Sequence, residues 1–505
     1  MKVIETIQLR DYQTESVRQL RAHIAAGRRK LVLSSPTGSG KTELACDMIQ
    51  SALRKGSRAL FIVDRVVLVD QASARMDRYG IPHGVLQAGH WRWRPREPVQ
   101  VCSAQTLERR GMPDRVDVVF IDESHILRVK IVEWLRETSA AVIGLTATPF
   151  SKGLGQIYQD VVNVTTTDKL VADGHLKPLR YYSAAASIDT KGLKVIAGEW
   201  SEAEIEQRGR AILGDIVQEW IDKTNLHFGG PRKTIVFIPT VDYGVELAQK
   251  FREAGYDFRL ISYKDANEDR RREIFADFAQ PNTTINGLMS CEVLTRGFDV
   301  PDVQVGVLAR PYRKSLSSHI QQLGRVMRPY PDHEFGLILD HCGNVIRFHA
   351  DTMEFFANGI SELDDGKHDA KVHREPTEKE RSEIRCACGY ILRPDQDVCP
   401  ACGKVRRRRN LVEVAPGELV EIDGNKRNKA EGWPEKIAFM GQLKYYAWDH
   451  HYADGWVVHK YRERYGCWPN DPRVKHAAPL DCTPEVLNFI RSRQIAYARS
   501  KRRSA

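Results

Sequence analysis

The sequence has no apolar run of about 18 residues or more, the length a membrane-crossing helix needs, so none of it reads as a transmembrane segment. Its opening, Met1-Lys2-Val3-Ile4-Glu5-Thr6, lacks the basic, apolar and small-residue zones of a secretory signal. A cytoplasmic protein with no membrane partner is therefore expected. No internal repeat of short period appears, which argues against a tandem array. His450 and His451 have no partner at metal-ligand spacing and take no role.

What is present points elsewhere. At 505 residues the chain is too long for one hydrophobic core, and roughly three or four domains are expected. A hydrophobic fraction of 42% and a charged fraction of 28% are ordinary for a globular protein, so disorder does not dominate. The formal net charge of +10 favours an anionic partner such as nucleic acid. Of ten cysteines, Cys46, Cys102, Cys291 and Cys342 lie among apolar segments, Cys467 and Cys482 stand apart, and four cluster between Cys386 and Cys402. In a reducing compartment such a cluster holds metal more often than it forms disulfides.

Short apolar runs alternate with amphipathic stretches in the first third. Leu31-Val32-Leu33, Ala59 to Val63, Val116 to Ile121 and Val142 to Leu145 read as buried strands of a parallel sheet covered on both faces. After a polar stretch from about Ser187 to Arg232 the rhythm restarts. Thr234 to Ile238, Phe258 to Ser262, Ile285 to Met289, Val303 to Leu308 and Gly336 to Leu339 supply a second strand set. Two α/β lobes in tandem are expected, 1–170 and 171–360. A charged linker over 361–384 follows, then a cysteine segment over 385–410 and a mainly helical accessory segment over 411–505.

Ser34-Ser35-Pro36-Thr37-Gly38-Ser39-Gly40-Lys41-Thr42 follows a strand and opens a helix, where a phosphate cradle must sit. The Pro36 to Gly40 loop, through the backbone N–H groups of Thr37 to Gly40, and the helix N-terminus would surround the phosphates of ATP. Lys41 would reach the β and γ phosphates and Thr42 would ligate Mg²⁺. Ser35 stands where the pattern carries its first glycine. A glycine-rich turn before a helix is the plainer alternative. Asp122-Glu123-Ser124-His125 closes the strand Val116 to Ile121. Asp122 at a strand end can hold Mg²⁺ through water, and Glu123 is placed to polarise the attacking water.

Asp122 to His125 reads as a DExH box, and the chain resembles the superfamily 2 helicases. That resemblance implies two tandem RecA-like lobes and several further roles. Arg10-Asp11-Tyr12-Gln13 resembles the adenine-reading segment, with Arg10 and Gln13 on the base. Arg65, within Asp64 to Gln71, and Ser103, Gln105 and Thr106, within Ser103 to Leu107, would follow the nucleic-acid backbone. Thr146-Ala147-Thr148-Pro149 would couple nucleotide state to strand binding. In the second lobe the resemblance assigns strand contacts to Thr240 and Thr295 and a ribose contact to Asp299. Arg325 and Arg328, within Gln321 to Pro329, would be arginine fingers on the γ-phosphate. Leu339 to Asn344 and a cysteine cluster after the second lobe resemble the RadD-like and restriction-type bacterial or phage DNA repair helicases.

Cys386-Ala387-Cys388-Gly389 and Cys399-Pro400-Ala401-Cys402-Gly403 present four thiols in two tight pairs, as a structural Cys₄ zinc ribbon does. Arg406 to Arg409 follow directly, either as a phosphate contact or as a solvated charge run. Between Phe439 and Tyr465 six tyrosines and tryptophans interleave with Lys and Arg. These aromatics suit either a helical core or a platform for unpaired bases. The expectation is an ATP-dependent DNA helicase or translocase using Mg²⁺ and Zn²⁺. It would act on single-stranded or forked DNA, with a repair or replication protein as a further partner. A restriction-system motor, an RNA helicase or RNA-sensing ATPase, and a clamp whose ATPase gates attachment are the alternatives. No nuclease constellation of paired acids and lysine is recognisable, so cutting would need a partner chain.

Overall fold

The computed structural model describes residues 4–64, 67–87, 89–183, 192–196, 199–209, 213–262, 268–291, 302–330, 334–364, 385–393, 396–405, 433–465, 467–491 and 493. Residues 1–359 and 363–406 form one compact unit, and residues 360–362 and 407–505 a second.

The first unit holds two RecA-like lobes. Lobe 1 has seven parallel strands: β1 (Lys30–Ser34), β2 (Ala59–Val63), β3 (Gly84–Val85), β4 (Val99–Ser103), β5 (Val118–Asp122), β6 (Ala141–Thr146) and β7 (Asp160–Val162). They lie in the order β3-β4-β2-β5-β6-β1-β7. The continuous apolar runs arise because both faces are covered. Leu31, Leu33, Phe61 and Val63 pack into one core, while Val32, Leu60 and Ile62 pack into the other.

Lobe 2 begins with β8 (Leu179–Ser183), and a short antiparallel pair, β9 (Val195–Ile196) and β10 (Glu199–Trp200), follows. Its sheet continues with β11 (Thr234–Phe237), β12 (Phe258–Leu260), β13 (Gly287–Ser290), β14 (Val305–Leu308), β15 (Gly336–Asp340) and β16 (Tyr390–Ile391). The order is β12-β13-β11-β14-β15-β8-β16. All neighbours are parallel except β16, which the cysteine segment lays antiparallel on β8, pairing Tyr390 with Tyr182. Those two rings meet edge to face with centroids 5.5 Å apart.

The second unit packs helices Trp433–Asp449, Asp454–Tyr465 and Pro472–Lys475 around Phe439, Leu443, Val457, Tyr461, Val474 and Ile490. The aromatic stripe divides. Tyr461 is core, Tyr446 and Trp456 lean against the core, and Trp448 and Tyr452 face solvent.

Candidate nucleotide site and metal centre

Three strand ends converge in lobe 1. Ser34 of β1 stands opposite Thr146 of β6, and Asp122 of β5 stands opposite Leu145. The loop after β1, the Asp122–Glu123 pair and the Thr146–Thr148 segment therefore emerge side by side at the carboxyl edge, where open α/β sheets bind ligands. Ser35 N–H donates to the Thr146 carbonyl at 3.0 Å, and Ser124 N–H to that of Leu145 at 3.0 Å.

The loop turns through Gly38 at φ 83° and Gly40 at φ 79°, left-handed positions that suit glycine, and then enters the helix Lys41–Arg54. Ser35 Oγ and Ser39 Oγ are 2.7 Å apart, a hydroxyl bridge across the loop at the departure from the glycine pattern. Lys41 Nζ donates to the carbonyls of Ser35 at 3.0 Å and Pro36 at 3.1 Å. Two residues of the first helix pin the loop from behind. Tyr12 Oη donates to Ser39 O at 2.7 Å, and Gln13 Nε2 donates to Ser39 O at 2.9 Å and Gly40 O at 3.1 Å. Gln13 Oε1 accepts the Arg10 N–H at 2.8 Å, and Arg10 Nη1 donates to Tyr12 Oη at 3.0 Å.

Burial depresses the Lys41 ammonium, Glu123 and Asp122 hold it up, and Arg325 and Arg328 push it further down. Burial raises the Asp122 carboxyl, with the adjacent Glu123 charge adding to the rise. Lys41 and Arg325 oppose that rise. A carboxylate disfavoured in its charged form, with the Thr42 hydroxyl in the first turn of the neighbouring helix Lys41–Arg54, is a donor set that suits Mg²⁺.

Glu123 has φ 52°; among the described residues only His451 is another non-glycine at positive φ. Backbone strain of this kind is held in place by surrounding structure and concentrates at reacting groups. Glu123 Oε2 lies 3.4 Å from His125 Nδ1 and accepts from Gln321 Nε2 at 3.2 Å. His125 Nδ1 is 2.9 Å from Thr146 Oγ1, which also accepts the Thr148 N–H at 3.0 Å. Thr148 Oγ1 is 2.7 Å from Ser317 Oγ of lobe 2. A continuous polar chain thus runs from Glu123 through the Thr146–Thr148 segment to the other lobe.

One helix of lobe 2, Leu316–Val326, closes the cleft. Gln321 touches Glu123, and one turn on, Gly324 lies flush against the phosphate loop. A Cβ added at Gly324 would stand 2.6 Å from Thr37 Cβ. Arg325 is buried, and the Arg328 side chain lies over Gly38, its Cγ 3.8 Å from where a Cβ there would be. Lys41, Asp122, Glu123, Arg325 and Arg328 are thus brought into one cleft from two sheets.

The residues read as strand contacts are placed less openly. Ser103 is fully buried and caps the helix Ala104–Arg110, its Oγ accepting from Thr106 N at 3.1 Å, while Gln105 is exposed. Thr240 likewise caps the helix Val241–Glu253 and donates to Glu206 Oε2 at 2.6 Å. Arg65, Thr295, Asp299 and Arg406 to Arg409 lie outside the described residues. Sequence reasoning gave no role to Tyr12 or Gln321. Gln321 stood within a quoted motif, but its contact spans two lobes and so left no local signal.

The four cysteines form the second centre. All four sulfurs lie within 4.8 Å of one another. Cys386 and Cys402 are 3.6 Å apart, Cys388 and Cys399 3.7 Å. A tetrahedron with Zn–S bonds of about 2.3 Å has edges of about 3.8 Å, whereas a disulfide needs about 2.05 Å. Gly389 N–H donates to Cys386 O at 2.9 Å and Gly403 N–H to Cys399 O at 2.8 Å, closing two knuckles. The donor set fits a structural zinc.

Residues 6–151 match the family described as "Type III restriction enzyme, res subunit", and residues 216–330 match "Helicase conserved C-terminal domain". A "51.5 kDa protein" of a Lactococcus phage is 28% identical over 74% of this chain and 77% of its own length. A mitochondrial protein of Schizosaccharomyces pombe, named as the ATP-dependent helicase irc3, is 27% identical over 68% of this chain and 58% of its own length. This chain thus spans little more than half of the yeast protein. Among solved structures, a fragment named as an HsdR subunit of a Vibrio vulnificus type I restriction enzyme superposes with a TM-score of 0.55 at 20% identity. It covers 72% of this chain and 70% of that one. These comparisons agree with the site's two-lobed geometry.

Proposed function

The chain belongs to the superfamily 2 helicases, with a restriction-type first lobe and nucleic-acid-dependent ATPase activity, and from that premise we propose that it is a DNA motor. It couples ATP hydrolysis to movement along, or unwinding of, DNA in repair, recombination or phage DNA metabolism. The observation that carries this reading is the lobe 2 helix Leu316–Val326, which sets Gln321 on Glu123 and Gly324 against Thr37, with Arg325 buried on it and Arg328 just beyond its end over Gly38.

In this reading ATP lies across the cleft. Lys41 exchanges its loop carbonyls for β and γ phosphate oxygens, and the backbone from Pro36 to Gly40 cradles them. Gln13 keeps its two amide protons on the loop, and its Oε1 retains a lone pair for the adenine amino group. Thr42 and Asp122 would hold Mg²⁺, which would neutralise charge on the phosphate oxygens. Glu123 orients the attacking water, with Gln321 and His125 fixing its carboxylate. Arg325 and Arg328 stabilise the charge that spreads over the transferring phosphoryl, which requires a closed cleft. Loss of the γ-phosphate releases that closure, and the Thr148–Ser317 contact passes the change between lobes.

Steady-state ATPase measured with no polynucleotide, single-stranded DNA, duplex DNA and RNA in turn tests the reading, with Glu123→Gln as inactive control. Strong stimulation by DNA and little by RNA is expected. Equal or better stimulation by RNA would reverse the choice of substrate. The match to a restriction res subunit favours a second reading, the motor of a multi-subunit restriction system. It predicts displacement of a triplex-forming strand from duplex DNA without strand separation.

A further inference from the structure

Lobe 1 carries a surface feature that the ATP site does not use. The connection from β3 to β4 contains His90-Trp91-Arg92-Trp93-Arg94-Pro95-Arg96. Trp91 is 73% exposed and Trp93 45%, although indole rings ordinarily seek the interior. The loop under them is firmly built. Trp93 N–H donates to His90 O at 3.0 Å, and Val85 N–H to Arg92 O at 3.0 Å. Arg92 is a strut, its Nη2 donating to Asp77 Oδ2 at 2.7 Å and its Nη1 lying 2.9 Å from His83 Nε2.

The same guanidinium supports the face of Trp91, 4.5 Å from the ring centroid. Arg110, at the end of the helix that Ser103 caps, lies 4.9 Å from the centroid of Trp93. His90 Nε2 is 2.9 Å from Asp70 Oδ1, and Asp70 Oδ2 also accepts from Arg272 of lobe 2 at 3.3 Å. The loop thus touches the helix Val67–Arg78 through Asp70 and Asp77 and the helix Ala104–Arg110 through Arg110. Exposed Arg94, Arg96, Arg109 and Arg110 surround it.

Rigid, exposed aromatic faces set among cations are what an unpaired strand needs, with bases on the rings and phosphates on the guanidinium groups. We propose that Trp91 and Trp93 form a base-stacking platform for a single strand of nucleic acid, with Arg94 and Arg96 on its backbone. The proposal rests on the motor reading above and adds a strand-contact site outside the motifs. Its tie to Arg272 through Asp70 links the platform to lobe 2.

The test uses the full chain, a fluorescent oligo-dT and an abasic oligonucleotide of equal length, titrated at two or more salt concentrations. Trp91→Ala and Trp93→Ala should each weaken oligo-dT binding roughly ten-fold, and Trp91→Phe should retain most of it. The salt slope should stay unchanged in these variants, whereas Arg94→Gln should lower it by about one. On the abasic strand the tryptophan variants should match the unsubstituted protein, and ATPase without polynucleotide should not change. Equal binding of oligo-dT by the variants and the unsubstituted chain would overturn the platform. Equal losses on abasic and base-bearing strands would do so too. No strand binding by the unsubstituted chain would instead overturn the motor reading on which the proposal rests.

Discussion

Gly324→Ala is a change of one methyl group that should disable the motor while leaving its fold intact. A Cβ at this position would stand 2.6 Å from Thr37 Cβ, 2.9 Å from its Oγ1 and 3.1 Å from its Cγ2. Ordinary carbon contacts begin near 3.5 Å, so the lobe 2 helix must retreat from the phosphate loop by about 1 Å. That retreat carries Arg325 and Arg328 with it, and a misplacement of about 1 Å at reacting groups costs about 10²-fold in rate. This corresponds to about 2.7 kcal/mol of lost transition-state stabilisation. Alanine is favoured over glycine inside a helix by about 0.5–1 kcal/mol, so the thermal midpoint should hold or rise. Single-turnover hydrolysis at saturating ATP measures the effect, and binding of a fluorescent ADP analogue should change little because lobe 1 supplies the loop. Thr37→Gly removes the opposing carbons, so the double variant should recover part of the loss, a coupling that a double-mutant cycle resolves. Undiminished hydrolysis by Gly324→Ala would refute the closed-cleft argument. So would a double variant no better than the product of the two single effects.

Other outcomes follow from the same structure. The protein should carry one zinc per chain by atomic emission. Cys399→Ser should abolish it and lower thermal stability without removing nucleotide binding, and full zinc retention would count against the ribbon. Burial pushes His319 down to about 3 and His341 down to about 4. Both stay neutral when folded and gain protons below about 6.5 when unfolded, so their stability contribution is complete above that pH and declines as pH falls toward 4. Between pH 7.5 and 5.5 the loss should be roughly 1.3 kcal/mol per histidine in urea unfolding, and a flat profile would contradict the assignment. Gln13→Ala removes the amide tether to the carbonyls of Ser39 and Gly40, leaving Tyr12 as the side-chain donor to Ser39. It should raise the KM for ATP several-fold, and an unchanged KM would show that the tether does not shape the loop.

Sequence revealed the strands whose apolar residues run together, but it passed over β4 (Val99–Ser103), fully buried yet interrupted by Gln100, and β8 (Leu179–Ser183), interrupted by Arg180. β1, β2, β5 and β6 carry continuous apolar cores, Leu31–Leu33, Ala59–Val63, Val118–Ile121 and Ala141–Leu145, because helices cover both sides of the sheet. Gly84–Val85, Asp160–Val162 and Tyr390–Ile391 are too short for any period to register. Their neighbours in space make them strands. The nucleotide site was legible where chemistry requires fixed residue types at fixed spacing, as at Lys41, Asp122 and Glu123. Contacts between residues far apart in sequence, such as Thr148 with Ser317, Gln321 with Glu123 and Asp70 with Arg272, left no local trace. Ser103 and Thr240, read as strand contacts, turn out to have side chains engaged in capping helices. The alternating Trp and Arg of residues 91 to 96 drew no notice because exposure, which makes them unusual, is not visible in a sequence.

The pairing of β16 with β8 also sets a timetable for synthesis. Leu179-Arg180-Tyr181-Tyr182-Ser183 leaves the ribosome long before Tyr390 does. Because β8 joins the sheet only through β15, the open margin exists once Asp340 has emerged, and at about 5–20 residues per second the wait for Tyr390 is on the order of 2–10 s. Through that interval one margin of the lobe 2 sheet lacks its last strand, and its unpaired backbone groups can recruit the same margin of another nascent chain. If its cysteines take up zinc, the ribbon seals that margin only after the ion is bound, so zinc scarcity would reduce the yield of soluble protein before it altered any catalytic step.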